Sequence, residues 1–153
     1  MSASCSVPAA STAALICDTG ALIDYLVISA TDHRLFRNVI ERARTRYVPA
    51  LVIAEVDYFL RDERPAMRAF MQDVDRGAFT YAPPSLAQLS RAMEIDRRYE
   101  NLGLGLVDSS IVALAETLGV RRLATRDLRH FAAVRLRDGS PFDLVVHPAA
   151  PDR

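Results

Sequence analysis

Leu15-Ile16-Cys17-Asp18-Thr19-Gly20 opens the patterned part of the chain and sets its class. Three apolar residues bounded by an acid and a glycine predict a short buried strand. A helix is predicted at once beyond it, over residues 19–28, with Leu22, Ile23 and Leu26 as its apolar stripe. The same alternation recurs along the chain. Strands are expected at 47–49, 79–81, 122–125 and 144–146, the first stopped by Pro49, which removes a ladder donor. Helical patterns fill 32–46 (Leu35, Val39 and Ile40 on one face), 50–61 (Leu51, Ile53, Val56, Phe59) and 65–76. Another helix runs from a Ser85 cap to about residue 99, and the most apolar spans 106–118, stopped at Gly119. Residues 101–105 and 137–140 read as loops. Short apolar strands separated by helices predict an α/β fold whose mostly parallel sheet is covered on both faces.

Four carboxylates fall where such a fold presents side chains to a cleft. Asp18 ends the first strand, Asp127 follows Leu123-Ala124-Thr125-Arg126, and Glu55 and Asp108 lie near the starts of helical patterns. The carboxyl edge of a parallel sheet is where acids so placed can converge. Two carboxylates about 5 Å apart repel by roughly 3 kcal/mol at an effective dielectric near 20, so convergence calls for a cation. Oxygen ligands suit Mg²⁺ and Mn²⁺. Taken singly, each acid has a simpler explanation: Asp108 as a helix cap, Asp18 as an acid at a positive helix end.

The local contexts of these acids resemble those of PIN-domain ribonucleases. Leu15-Ile16-Cys17-Asp18-Thr19-Gly20-Ala21-Leu22-Ile23 is similar to their opening, and Ile53-Ala54-Glu55-Val56 to their second acidic segment. Leu106-Val107-Asp108-Ser109-Ser110-Ile111-Val112-Ala113-Leu114-Ala115 resembles the third. Leu123-Ala124-Thr125-Arg126-Asp127-Leu128-Arg129-His130-Phe131 resembles the fourth and most specific. Order and spacing agree over about residues 14–147, and the size is most like the VapC-type toxins of bacterial toxin–antitoxin pairs. Gly20 departs from the pattern, since many relatives carry Ser or Asn there. The resemblance implies a three-layer α/β/α PIN-like sandwich with four to five strands. It implies a metal-dependent endoribonuclease in which Asp18, Glu55, Asp108 and Asp127 hold one or two Mg²⁺ or Mn²⁺ ions. Hydrolysis would leave a 3′-hydroxyl and a 5′-phosphate. It also implies a homodimer and a VapB-type antitoxin, assembled as a heterotetramer or larger.

Composition narrows the alternatives. At 153 residues, half of them apolar, the chain is expected to form one domain with its own core, residues 15–148, between flexible tails at 1–14 and 149–153. No apolar stretch approaches the roughly 18 residues of a membrane span, and the Ser/Ala-rich start lacks the basic residues of a secretory signal. Two cysteines make no disulfide framework; Cys17 is expected in the core, and a reducing cytoplasm fits. Nineteen arginines, with no lysine, balance nineteen acids. Zero net charge weakens any picture of a broad basic surface for RNA and leaves room only for a local patch.

Several side chains carry two readings. Thr19 and Thr125 flank two of the acids, where they either orient carboxylates and water or serve ordinary cap chemistry. Arg121, Arg122, Arg126 and Arg129 surround the fourth acid; Arg126 and Arg129 are the candidate RNA-phosphate contacts, against a solvated face or an ion pair with a neighbouring acid. Asp24, a turn and a half beyond Asp18, is expected to project away from the site. His33, His130 and His147 have no mutual metal spacing; His130 is a candidate general base, but is expected rather to pack or cap behind the site. Tyr25, Tyr58, Phe59 and Tyr99 suit either base stacking or core and interface. Two other functions stand beside the nuclease: a PIN-like RNA-binding or assembly module without catalysis, and a phosphotransferase using Asp18 as nucleophile. Gly20 stands where the latter chemistry usually places a second Asp.

Overall fold

A computed structural model describes residues 13–148. Residues 1–12 and 149–153, which include Cys5 and most of the two expected tails, lie outside the described residues. The chain runs β1 (Ala14–Cys17), α1 (Thr19–Leu26), α2 (His33–Arg42), β2 (Thr45–Pro49), α3 (Ala50–Phe59), α4 (Arg64–Asp75) and β3 (Thr80–Ala82). It continues with α5 (Leu86–Arg98), a 3-10 turn at Glu100–Leu102, α6 (Gly105–Leu118), β4 (Arg122–Ala124), α7 (Leu128–Ala133) and β5 (Asp143–Leu144).

The five strands form one sheet in the order β3-β2-β1-β4-β5, with every pair parallel. Ala14, expected to close the tail, pairs with Thr45 and begins the sheet. Leu15, Ile16 and Cys17 are consecutive and fully buried, so both faces of the central strand are covered. The chain winds outward from β1 through β2 to β3 on one side, then returns to place β4 and β5 on the other. The gap beyond the carboxyl ends of β1 and β4 is thus the point where the winding reverses, the usual site of a ligand crevice in open sheets.

Helix faces differ in part from the expectation. α2 buries Phe36 and Ile40, one turn apart, while Leu35 is 39% exposed. α3 buries Val52 and Val56 and leaves Phe59 57% exposed. α2 stops at Arg42, short of the expected 46, because Thr45, Arg46 and Tyr47 pair with β1 as strand. Ser85 caps α5 with a reciprocal Gln88 bond, and α6 ends on Gly119 at φ 67°, both as expected. The short α7 was not expected.

Candidate active site

Asp18 stands directly beyond β1. Its backbone N–H donates to the Ala124 carbonyl (2.9 Å), which locks the end of β1 to the end of β4. Its side chain turns back over the first turn of α1 and is nearly buried. One carboxylate oxygen accepts the Thr19 N–H (2.7 Å) and the other the Thr125 hydroxyl (2.7 Å). Burial pushes the Asp18 carboxyl up to about 7; the Thr125 and Thr19 bonds oppose that rise, while Asp108 and Glu55 add to it.

The two threonines extend this contact in opposite directions. The Thr19 hydroxyl donates to Glu55 Oε1 (2.6 Å), an acid in the middle of α3 rather than at its start. Thr125 Oγ1 accepts the N–H of Asp127 (2.9 Å). Asp127 caps α7 by accepting the His130 N–H (3.3 Å). The ring of His130 then lies between two acids, its Nδ1 2.8 Å from Asp127 Oδ2 and 3.1 Å from Asp108 Oδ2. Asp108 itself sits in the first turn of α6. Its carboxyl is raised above the usual range, chiefly by burial; the His130 bond opposes the rise and Asp127 reinforces it. All four predicted acids therefore belong to one chain of contacts: Glu55, Thr19, Asp18, Thr125, Asp127, His130, Asp108.

The donor set fits a hard divalent cation. It offers carboxylate oxygens from four acids, and burial makes the Asp18 charge costly unless a positive partner approaches. Asp108, Asp127 and His130 each bring a ligand atom into a group whose members all lie within 4.8 Å of one another. His130 is the residue whose place the sequence reading ranked wrongly, since a general base was the lesser of its two readings. It was expected to pack or cap behind the site, yet its ring stands within it. The signal was available: an Asp that caps a helix has its i+3 side chain beside it.

The arginines separate. Arg129 is exposed and, among the described residues, has no ion pair. Arg126, the other expected phosphate contact, is also exposed but is engaged by acids: its Nη1 donates to Asp24 and, at 2.7 Å, to Asp32. Asp24 projects away from the acids, as expected. Arg121 and Arg122 lie at the amino end of β4, the opposite edge of the sheet, where Arg122 Nε is 4.0 Å from Asp143. Tyr25 packs edge-on to Phe79 and the Tyr99 hydroxyl accepts the Arg135 N–H (3.0 Å), so both serve the structure; Tyr58 and Phe59 are exposed. His33 bonds the Asp24 carbonyl (2.9 Å), and His147 is exposed. Cys17 is fully buried and its thiol is pushed up to about 12 by burial.

Comparison with known proteins agrees with this geometry. The PIN domain family matches residues 15–136. Ribonuclease VapC26 of Mycobacterium tuberculosis is 31% identical over 134 residues, covering 86% of this chain and 99% of that protein. The crystal structure of Mycobacterium tuberculosis VapC20, described as a sarcin–ricin loop cleaving toxin, superposes with a TM-score of 0.63 at 14% identity. That match covers 74% of this chain and 90% of VapC20, and at that identity it speaks for the fold alone.

Proposed function

Since this chain belongs to the PIN domain family, we propose that it is a metal-dependent endoribonuclease acting as the toxin of a toxin–antitoxin pair. The observation that carries the proposal is the unbroken chain of contacts from Glu55 to Asp108, which gathers four acids from four separate segments. Carboxylates gathered in this way repel one another, and a cation offsets that repulsion. Asp18 and Asp108 are the principal ligands of Mg²⁺ or Mn²⁺, with Glu55 and Asp127 completing the set directly or through water. When bound, such a cation supplies Lewis acidity, neutralising charge on the scissile phosphate and making water more acidic.

The protein's own groups bind, orient and handle protons. Thr19 and Thr125 hold the Asp18 carboxylate from both sides, so that its free lone pairs point in a fixed direction. Glu55, which accepts the Thr19 hydroxyl, would take a proton from attacking water. His130 holds Asp108 and Asp127 in register. In-line attack on phosphorus would leave a 3′-hydroxyl and a 5′-phosphate, with no protein nucleophile. Ribonuclease VapC26, the 31%-identical relative, supports the RNase class. The same likeness to VapC proteins supports a VapB-type antitoxin as partner, with a homodimer as the unit that it binds.

Purified protein with tRNA or an rRNA stem-loop tests the reading. Cleavage is expected with Mg²⁺ or Mn²⁺, none with chelator, and none from Asp18→Asn. Tight RNA binding without metal-dependent cleavage would instead identify an RNA-binding module.

A further inference from the structure

Arg126 lies between Thr125 and Asp127, two members of the acidic network, yet its side chain leaves that network altogether. The guanidinium Nη1 is shared by Asp24, on α1, and Asp32, the residue before α2, with Asp32 at 2.7 Å. Its guanidinium carbon stands 5.9 Å from the centre of the buried Phe36 ring on α2. Its aliphatic stem crosses α1 at Gly20, where a Cβ would come within 3.2 Å of both Cγ and Cδ. Four contacts, on α1, on α2 and at the residue before α2, thus hold one side chain, and both acids that hold it are largely shielded from solvent.

We infer that Arg126 is a positioning residue: tied to Asp24 and Asp32, it anchors the segment that carries Thr125 and Asp127 against α1, and so sets the spacing between Asp127 and Asp18 on which cation binding depends. The backbone makes this coupling short. Thr125 bonds Asp18 directly and receives the Asp127 N–H, so a shift of residue 126 moves both ends of the contact. Gly20 belongs to the same device, because a side chain there would displace the stem. Arg129, without an ion pair among the described residues, is then the phosphate contact beside the site, whereas the guanidinium of Arg126 is engaged by two acids.

The inference rests on the metal-site reading above, and the test separates the two. The protein is titrated with Mn²⁺ by calorimetry, its metal-free melting temperature is measured, and the salt dependence of RNA binding is recorded. In a triple Asp24→Asn, Asp32→Asn, Arg126→Met variant, which removes all three charges together, Mn²⁺ affinity is expected to fall about tenfold. The melting temperature is expected to stay near wild type, and the salt slope to be unchanged. Arg129→Ala is expected to do the reverse, leaving Mn²⁺ affinity alone and lowering the salt slope by about one. Asp32→Asn keeps the Asp24 pair and hence the fold, and is expected to weaken Mn²⁺ binding by a smaller factor, an effect that vanishes when Arg126 is already Met. Wild-type Mn²⁺ affinity in the triple variant and in Asp32→Asn, or a loss of salt slope in the triple variant, overturns the inference. Failure of the unaltered protein to bind Mn²⁺ overturns the metal site together with it.

Discussion

Burial makes Asp18 the most strained charge of the site, and its carboxyl is raised to about 7 from an ordinary value of about 3.9. Between those values the folded chain holds a proton that the unfolded chain releases, so stability rises as pH falls across that window. The metal-free protein is therefore expected to melt at a higher temperature at pH 5 than at pH 8. Asp18→Asn is expected to flatten that slope and to raise the melting temperature at pH 8. Melting curves in chelator across this range check it; a wild-type slope of the opposite sign contradicts it. Thr125 offers a second test at the same scale. Thr125→Val removes the hydroxyl that donates to Asp18 and accepts from Asp127. Mn²⁺ affinity is expected to fall about 10- to 100-fold, while Thr125→Ser retains it. Calorimetric affinities equal to wild type in the Val variant would remove Thr125 from any orienting role. The four acids were legible as a set because the segment around each resembles a PIN-domain segment; the apolar patterns alone left each acid a simpler reading. For Arg126 an ion pair was one of the two readings, but its partners were not legible, since they lie 94 and 102 residues away and nothing local announces them.

Elements were legible where patterns are long. The sheet, the Ser85 cap and the α6 stop at Gly119 follow from strand alternation and cap chemistry. Faces were harder. In α2 the apolar residues Leu35, Phe36, Val39 and Ile40 occupy adjacent rows, and periodicity alone does not choose between Leu35 and Phe36. Tertiary packing chooses Phe36, which fills the space beneath the Arg126 guanidinium. Phe36→Ala is accordingly expected to cost about 3–5 kcal/mol, and Leu35→Ala no more than about 0.5 kcal/mol. Urea denaturation of both variants decides; equal losses would return Leu35 to the core. α7 escaped notice because six residues give less than two turns of pattern. Its cap, Asp127 accepting from the His130 N–H, was the sign to look for, and it would have brought His130 into the site.

At the scale of the molecule, zero net charge restricts how RNA can be held. Affinity from phosphate neutralisation grows with the number of contacts, and a balanced surface supplies few. Selection is therefore expected to come from a structured RNA with bases free to leave the stack. Cleavage at one or a few sites of a folded RNA, mapped by 5′ ends, is the expected pattern; rapid degradation of unstructured RNA at physiological salt, by enzyme free of other nucleases, contradicts it. The sheet reversal between β1 and β4 places all four acids at one edge, while Arg121 and Arg122 stand at the other. This global arrangement makes a cation the natural complement of that edge. The most direct test is the melting temperature of the chelator-treated protein as Mn²⁺ is added back. A ligand that binds only the folded state raises it by mass action. Wild type is expected to gain stability with Mn²⁺ concentration, whereas the double Asp18→Asn, Asp108→Asn variant is expected to show no such gain. A response in the double variant equal to that of wild type would contradict the assignment of these acids to the metal.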